Sequence, residues 1–445
     1  MNVIDVLRER GFIDKDENGV ESITSPSIID YVNQNNMLTC YAGFDPSAPS
    51  LHLGNLLVIM GLSQIQLCGH KPIVLIGGAT GMIGDPSGKS EERNLLTPKQ
   101  IKENIDGIRP QLERFLEFGT KKNSAIIVNN ADWLSSYKLI EFLRDIGKNF
   151  RINDMLKKDS IKTRCGIEKS PHSDDFIIKG GNEGMSFTEF TYMLLQSYDF
   201  LYLYDNYGCN LQVGGSDQWG NITAGLDLIK RLRGKTVWGI VFPLLKTATG
   251  TKFGKTEQGT IWLDANKTSP YKLYQYLIQT DDRNVVQFLK LFTFLPIEKI
   301  NELQKSVETN PEARLAQRTL AYEVTKIVHG ETEAKKAVKS AEVLFGEEIS
   351  GFTDRELEEI FADVPSTVLS KTELSKGTKI IELCKNIGLC KSINEARRLI
   401  LSGGLYINNK RVTSVDIILN KELLVSEHII ILRSGKKNYH LLKFE

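Results

Sequence analysis

In the first part of the chain, short apolar runs of five to seven residues occur on either side of a longer apolar segment. Residues 38–44 and 72–76 are short apolar runs that end at glycine, and with residues 125–129 they predict buried strands. Residues 52–68 are apolar nearly all round, which predicts a buried helix between the first two strands. Strand, buried helix and strand form a βαβ unit. The pattern therefore predicts an α/β fold with a parallel sheet, whose ligands lie at the carboxyl ends of the strands.

The pattern changes after residue 156. Residues 157–184 are rich in Lys, Ser, Asp and Gly and predict an exposed insertion, whereas residues 247–260 are polar with three glycines and predict a mobile loop. Helical periodicity dominates from residue 269 to about 345, and shorter alternating strands follow a capped helix near the end. The predicted units are a parallel-sheet domain at 1–246 with its insertion near 157–184, a loop and helical domain at 247–350, a linker at 351–375, and a small α+β domain at 376–445.

Charge is unevenly distributed. The net charge is +1, but residues after 370 carry 14 Lys and Arg against 7 Asp and Glu, which leaves −6 on the first 370. A basic tail favours contact with a polyanion, although a solvated surface explains such a bias about as often. The six cysteines include no C-x-x-C pair, which argues against zinc and disulfides and favours a reducing, cytoplasmic location. No apolar run approaches the roughly 18 residues of a membrane span, and no signal peptide is predicted.

The segment from Tyr41 to Asn55 joins the first strand to the buried helix. It places His52-Leu-Gly54-Asn55 at the start of that helix, where free N–H groups and the positive end of the dipole favour phosphate. His52 and Asn55 lie one turn apart and can both donate hydrogen bonds, and Gly54 lets a ligand approach the backbone. A lone histidine at this position is more often a helix cap. The segment therefore needs a second signal.

The second signal lies in the glycine-rich loop. Lys252-Phe-Gly-Lys255-Thr256 places two lysines three positions apart, where a flexible loop can close over a polyphosphate, and Thr256 adds a hydroxyl. Alone, such lysines are typical of a solvated loop. Together with His-Leu-Gly-Asn, they indicate a triphosphate site.

A third group of polar residues follows the capping box Ser186-Phe-Thr-Glu189. Tyr192, Gln196 and Asp199 are spaced i, i+4 and i+7, which places them on one face of a helix otherwise rich in Phe, Met and Leu. An exposed polar face would explain this stripe alone. Two glycine-rich corners, at 77–88 and 214–221, make a binding site the better interpretation. The polar residues in these corners or just after the first one are Asp85, Lys89, Arg93, Asp217 and Gln218.

Taken together, these motifs resemble one family, the bacterial-type tyrosyl-tRNA synthetases, which are class I aminoacyl-tRNA synthetases. The likeness covers nearly the whole chain, and residues 394–408 resemble an S4-like RNA-binding module. The resemblance implies a Rossmann-like catalytic domain followed by a helical domain and the S4-like module. It also implies activation of tyrosine with ATP, with Mg²⁺ carried by the triphosphate, then transfer to tRNA(Tyr) by a homodimer.

The resemblance assigns roles to matching residues. Those implied to bind tyrosine are Tyr41 and Asp199 at the phenol hydroxyl, Asp85, Tyr192 and Gln196 at the ammonium, and Gln218 at the carboxylate. Those implied to bind ATP are Asp45, Ser47, His52, Gly54, Asn55, Asp217 at the ribose, Lys252, Lys255 and Thr256, with Lys89 and Arg93 contacting triphosphate or tRNA. His52, Asn55 and the loop residues Lys252, Lys255 and Thr256 are the implied catalytic set. Those implied to contact tRNA phosphates are Lys391, Arg397, Arg398, Lys410 and Arg411.

The sequence departs from the family pattern at two positions. Asn55 replaces the histidine that usually closes the first signature, and Ala42 replaces a frequent cysteine. Three other interpretations stay open: a tryptophanyl-type synthetase, an RNA-binding protein that retains a synthetase fold, and an adenylylating enzyme with another acceptor. The Tyr41 and Asp199 pair argues against the first, the intact lysine loop against the second, and the S4-like tail against the third.

Overall fold

The computed structural model describes residues 1–87, 96–169, 176–178, 184–256, 259–344, 346–362, 364–435 and 438–445. The chain divides into two compact units, the first made of Met1–Ser269 and Leu277–Val328 and the second of Pro270–Tyr276 and His329–Glu445. None of the helices in the described residues combines the length and the apolar character that crossing a membrane requires.

In both units the helices contain more residues than the strands. The strands are β1 (Thr39–Phe44), β2 (Lys71–Ile76), β3 (Ile126–Asn129), β4 (Ile167–Lys169), β5 (Phe176–Ile178), β6 (Leu211–Gly215), β7 (Trp238–Phe242), β8 (Lys255–Thr256), β9 (Gly259–Thr260), β10 (Ser366–Leu369), β11 (Leu405–Ile407), β12 (Lys410–Arg411), β13 (Ile429–Ser434) and β14 (Asn438–Phe444). The α-helices are α1 (Val3–Arg10), α2 (Ser27–Asn33), α3 (Leu53–Leu67), α4 (Thr80–Ile83), α5 (Pro98–Leu112), α6 (Ala131–Leu134), α7 (Leu139–Asp145), α8 (Ile152–Met155), α9 (Asp159–Cys165), α10 (Phe187–Tyr207), α11 (Trp219–Arg233), α12 (Pro270–Ile278), α13 (Asp282–Phe292), α14 (Ile297–Thr309), α15 (Leu315–His329), α16 (Glu331–Val343), α17 (Asp354–Ile360), α18 (Ile380–Asn386) and α19 (Ile393–Leu401).

A five-stranded sheet in the order β3-β2-β1-β6-β7 organises the first unit. All four pairings in this sheet are parallel. The chain builds outward from β1 through β2 to β3 and later continues on the other side of β1 with β6 and β7. Such a reversal of strand order opens a crevice at the carboxyl ends of β1 and β6, where ligands of doubly wound sheets bind. The predicted Rossmann-like fold is confirmed.

Helix α3 is the buried helix that the sequence predicts. His52 is its N-cap, and its side chains are buried along nearly the whole length because both faces contact protein. Gly61 allows the closest contact, since a Cβ there would lie 2.3 Å from Cε2 of Phe242 on β7. The position of α3 against the sheet fixes where its N-terminus points.

The segment predicted as an exposed insertion is partly built into the first unit. It contains α9 and the antiparallel pair β4 and β5. The prediction of exposure is wrong at Ile161 and Arg164, which are both buried. One apolar side chain and one paired charged side chain are enough to anchor this short helix. So few buried residues do not stand out in a segment rich in lysine and glycine, and composition therefore failed to indicate them.

The second unit ends in a mixed sheet, in the order β10-β14-β13-β11-β12. Helices α18 and α19 cover this sheet with residues such as Ile380, Cys384 and Ile400. As predicted, Ser392 caps α19, accepting a hydrogen bond from the Glu395 N–H at 3.1 Å. Strand β10 comes from the segment predicted as a linker, and it pairs in parallel with β14. Its sequence, Ser-Thr-Val-Leu, lacks the continuous apolar run that predicts β2 and β3.

Candidate active site

A cavity of about 380 Å³ opens at the carboxyl ends of the parallel strands in the first unit. Most predicted site residues line it: Tyr41, Asp45, Ser47, His52, Gly54, Asn55, Asp85, Tyr192, Gln196, Asp199, Asp217, Gln218, Lys252 and Lys255. Thr256 is not among the lining residues, and its hydroxyl donates to the Gly259 carbonyl at 3.1 Å. Lys89 and Arg93 lie outside the described residues. The fold thus brings together residues as far apart in the sequence as Tyr41 and Lys255.

Asp199 forms the deepest polar contact of the cavity. It is 1% exposed, and its two oxygens accept hydrogen bonds from the Trp133 indole N–H at 2.8 Å and the Asn130 amide at 2.9 Å. Burial raises the pKa of Asp199 to about 7, although these two donors lower it, and the charge on Asp45 contributes to the rise. Near neutral pH, Asp199 is therefore divided between an acid and a carboxylate that can accept a further hydrogen bond.

Tyr41 lies beside this carboxylate. Its hydroxyl is buried and has no hydrogen-bond partner among the described residues. Burial and then the charge of Asp199 raise the pKa of Tyr41 well above its ordinary value, so the hydroxyl keeps its proton. Gln212, opposite Tyr41 in the β1–β6 register, also has a buried amide oxygen without a partner in the described chain. Buried polar atoms of this kind are costly unless a ligand satisfies them.

A chain of hydrogen bonds connects Asp199 to the carboxylate of Asp45. Asn130 donates to both Asp199 and the Thr80 hydroxyl, and Thr80 donates to Asp45 at 2.8 Å. The other oxygen of Asp45 accepts from the Tyr192 hydroxyl, also at 2.8 Å. The chain therefore fixes the spacing between one acceptor deep in the cavity and a second carboxylate nearer its mouth.

A second network surrounds Asp85. The Gln218 amide donates to Asp85 at 2.6 Å, and the Ser87 N–H donates to its other oxygen at 2.9 Å. Gln196 donates to Gln218, and Asn221 donates to the amide oxygens of both glutamines. Burial, followed by the charge of Asp85, raises the pKa of Asp217. The carboxylates collected on this side of the cavity favour a cation.

The N-terminus of α3 forms the opposite wall. His52 Nδ1 accepts from the Asn55 N–H at 3.3 Å, and Asn55 Oδ1 accepts from the His52 N–H at 3.0 Å. A neutral imidazole that accepts at Nδ1 carries its proton on Nε2, so its donor is Nε2–H. Asn55 donates through its amide nitrogen. Gly54 makes room for this cap, because a Cβ there would lie 2.9 Å from Cε1 of His52.

The glycine-rich loop that carries Lys252 and Lys255 packs directly on the N-terminus of α3. The Leu53 N–H donates to the Ile261 carbonyl, and the Ile261 N–H donates to the Gly254 carbonyl, each at 2.9 Å. Gly254 has φ of +83°, and a Cβ there would approach the Leu53 Cβ to 3.0 Å. Between the two lysines, Phe253 is buried against Phe288 and Phe292 at ring-centroid distances of 4.4 and 5.1 Å. The loop thus presents Lys252 and Lys255 beside the helix dipole, which suits an anion.

Four contributors to this site were missed in the sequence. They are the buried or partly buried residues that hold the ligating side chains: Thr80, Asn130, Trp133 and Asn221. Asn130 directly follows the end of β3, and a polar residue at the carboxyl end of a parallel strand was a usable signal. Trp133 gave none, because an apolar residue on a short helix is typical of the core.

The predicted polyanion-binding residues lie in the second unit. Lys391, Arg397, Arg398, Lys410 and Arg411 are all exposed. Lys410 forms an ion pair with Glu348 at 2.7 Å, which lowers the pKa of that carboxyl. Exposed pairs of this kind are weak, so a phosphate can displace Glu348.

Comparisons with known proteins agree with this geometry. A family model described as "tRNA synthetases class I (W and Y)" matches residues 33–346, and one described as "Tyrosine--tRNA ligase SYY-like C-terminal domain" matches residues 356–442. Tyrosine--tRNA ligases from Protochlamydia amoebophila and Roseiflexus castenholzii are 47% and 43% identical, each over 99% of both chains. A C-terminally truncated mitochondrial tyrosyl-tRNA synthetase from Coccidioides posadasii superposes with a TM-score of 0.63 at 32% identity, covering 76% of this chain and 91% of its own.

The fold and the cavity therefore define a class I aminoacyl-tRNA synthetase. A tryptophanyl-tRNA synthetase from Encephalitozoon cuniculi shares only the fold, with a TM-score of 0.51 at 13% identity, 80% of this chain and 90% of that one being covered. The full-length relatives are more specific, and the chain belongs to the tyrosine--tRNA ligase family.

The ionisation of Asp199 gives the first testable prediction. Trp133→Phe removes a donor that favours the carboxylate, so the pKa of Asp199 should rise from about 7 by roughly one further unit. Carbon-13 NMR of labelled aspartate carboxyls would follow this titration. Trp238→Phe is the matched control, because the Trp238 N–H donates to Ser27 instead. An unchanged Asp199 titration in Trp133→Phe would show that the indole does not control the carboxylate.

Proposed function

We infer that the cavity carries out the reaction of its family: it activates tyrosine with ATP and passes it to tRNA(Tyr). The observation that carries this inference is that the buried Asp199 carboxylate acts on the neighbouring Tyr41 hydroxyl, which has no hydrogen-bond partner among the described residues. A phenol hydroxyl can donate to Asp199 and accept from Tyr41 at the same time. A phenylalanine ring would leave both groups unpaired, and sites of this type reject such an analogue strongly.

The ammonium of tyrosine fits the acidic side of the cavity. Asp85, Tyr192 and Gln196 are its proposed acceptors, and the negative charge of Asp45 adds to the field that attracts it. Burial and the neighbouring carboxylates raise the pKa of Tyr192 well above its ordinary value, so Tyr192 binds as a neutral phenol. Gln218 is the proposed contact of the substrate carboxylate.

ATP fits the opposite side. Asp217 is the proposed ribose contact, and Ser47, Gly54 and the donors of His52 and Asn55 are proposed to face the phosphates, with Lys252 and Lys255. Thr256 also stays a proposed contact, reached by movement of the loop. Mg²⁺ would arrive with the triphosphate, because both oxygens of Asp45 and of Asp85 already accept hydrogen bonds from protein groups. No zinc is required.

The chemistry needs no general base, because the tyrosine carboxylate is already an anion at neutral pH. A carboxylate oxygen attacks the α-phosphorus of ATP, the bond to the bridging oxygen breaks, and pyrophosphate leaves. A ribose hydroxyl at the 3′ end of tRNA then attacks the carbonyl of the mixed anhydride, and AMP leaves. Catalysis consists of positioning both substrates and stabilising charge on the phosphates, and single donors of this type contribute about 3–4 kcal/mol.

A homodimer is part of the proposal. Helix α7 has no buried residue, and Leu139 and Ile140 on it are 69% and 74% exposed. Leu143, one turn further along α7, is 44% exposed, and Ile152 on α8 is 56% exposed. Exposed apolar side chains one turn apart on a helix without a buried residue favour a protein partner, and a second copy of the chain is the commonest one. We place the reaction in the cytoplasm, in keeping with six free cysteines.

Substrate selectivity is tested with ATP–pyrophosphate exchange. Asp199→Ala should reduce kcat/KM for tyrosine by about 100-fold or more and leave the low activity with phenylalanine nearly unchanged, because only tyrosine uses the carboxylate. Tyr41→Phe should show a smaller loss in the same direction. Tyr31→Phe removes a hydroxyl outside the cavity and serves as the control. Equal losses for both amino acids would remove Asp199 from its proposed role.

The basic tail is tested separately. Arg397→Gln together with Arg398→Gln should leave tyrosine-dependent exchange unchanged but weaken tRNA binding and flatten its salt dependence, since two phosphate contacts are lost. Lys299→Gln with Lys305→Gln, on the exposed side of α14, is the charge-matched control. These substitutions are preferable to deleting 376–445, because that deletion removes β14 and uncovers β10. Equal salt slopes in all variants would contradict the proposed contact.

The proposed dimer is tested by sedimentation. Ile140→Glu places a charge in the apolar surface of α7 and should convert dimer to monomer, because burying an unpaired carboxylate is costly. Leu401→Glu, at another residue 74% exposed, should leave the oligomeric state unchanged. A wild-type chain that sediments as a monomer at micromolar concentration would contradict the proposal.

A further inference from the structure

Arg164 is a buried cation within the segment predicted as an insertion. It lies on α9 and is 2% exposed. Its Nε donates to Glu189 Oε1 at 3.3 Å and its Nη2 to Glu189 Oε2 at 3.1 Å. Its Nη1 is buried and has no acceptor in the described part of the chain. The hydrogen bonds described for this guanidinium therefore all go to one carboxylate on α10.

Glu189 lies on the face of α10 that reaches the cavity. Glu189, Tyr192, Gln196 and Asp199 are spaced i, i+3, i+7 and i+10, which forms one continuous stripe along a helix. Glu189 also closes the capping box of α10 by accepting from the Ser186 N–H at 3.2 Å. It is thus fixed one turn before the Tyr192 hydroxyl.

Apolar and polar contacts hold the same segment against the two pocket helices. Ile161 and Cys165 of α9 pack in a cluster with Met193 and Leu194 of α10. Just before α9, the Lys158 ammonium donates to the Thr223 hydroxyl on α11 at 2.8 Å. Three kinds of contact therefore connect this segment to the helices that carry Tyr192 and Asn221.

We propose that the segment from Lys158 to Cys165 holds the amino-acid subsite in position, and we call this segment the brace. Arg164 is a positioning residue in it, which acts through Glu189 on Tyr192 and the ammonium of the substrate. Without Arg164, Glu189 would be an unpaired buried charge on the stripe, so either the first turn of α10 would shift or the carboxylate would turn toward the cavity. In the second case it would compete with Asp85 and Tyr192 for the ammonium. The paired guanidinium prevents both outcomes.

The proposal depends on tyrosine being the substrate, and the test separates the two claims. Arg164→Met and Glu189→Gln should raise the KM for tyrosine in ATP–pyrophosphate exchange by about tenfold or more and leave the KM for ATP within about twofold. Arg164→Lys, which keeps the charge but loses the bidentate geometry, should fall in between. Inhibition by 3-(4-hydroxyphenyl)propanoate, which lacks the ammonium, should change less than tyrosine binding, because Asp199 lies three turns from Glu189.

The matched control is another arginine that pairs with a carboxylate on α10. Arg233 pairs with Asp205 near the other end of α10, through contacts of 2.8 and 2.6 Å, but this pair is partly exposed. Arg233→Met should therefore behave like the wild type, since exposed ion pairs contribute little. An unchanged tyrosine KM in Arg164→Met, or parallel increases of the tyrosine and ATP KM values, would overturn the brace.

Folding and substrate identity are read out separately. If circular dichroism shows that Arg164→Met is unfolded, Arg164→Lys decides: a raised tyrosine KM in the folded variant supports the brace, and an unchanged one contradicts it. If the wild-type chain shows no exchange with tyrosine, the proposed function itself fails. An active wild type with an unaffected folded Arg164 variant contradicts the brace alone.

Discussion

The cavity depends on keeping a carboxylate able to accept a hydrogen bond in a place where water is excluded. Burial alone drives an aspartate toward its neutral form, which donates instead of accepting. Asn130 and Trp133 oppose this by donating to both oxygens of Asp199, and the result is a pKa of about 7. A phenol that donates to the carboxylate adds a third favourable contact to the ionised form. Ligand binding therefore completes the solvation that the protein alone provides only in part.

The same logic explains why the site is left incomplete without a ligand. The Tyr41 hydroxyl and the Gln212 amide oxygen are buried without partners among the described residues, which costs stability in the empty protein. In contrast, hydrogen bonds connect the polar side chains around these two groups. Thr80 and Asn130 join Asp45 to Asp199, and Asn221 joins two glutamines near Asp85. Rigid surroundings keep the partnerless atoms in place, so they do not turn to satisfy one another.

Sequence reasoning located most of the residues that line the cavity but not those that hold them in position. His52, Lys252 and the stripe from Tyr192 to Asp199 stand out because glycine, charge and helical spacing are local features. Trp133 and Thr80 do not, because their importance comes from contacts across 66 and 35 positions of the chain. Arg164 was hidden for a further reason: in a lysine-rich segment, a buried arginine cannot be told from a solvated one. The parallel sheet was predictable from apolar runs, whereas β10 contains no such run.

The strand order decides where these opposing environments meet. Because the strand order reverses at β1, a crevice opens there. The end of β1 leads through the turn at Pro46 to the α3 N-terminus, and the stripe of α10 faces the same crevice. The acidic side would repel a triphosphate, and the cationic side would repel an ammonium, so in the proposed reaction the amino acid and ATP would bind in only one relative direction. That direction places the carboxylate of the amino acid toward the phosphates. Attack then requires two anions to approach each other, and the helix dipole with Lys252 and Lys255 supplies the positive field that offsets their repulsion.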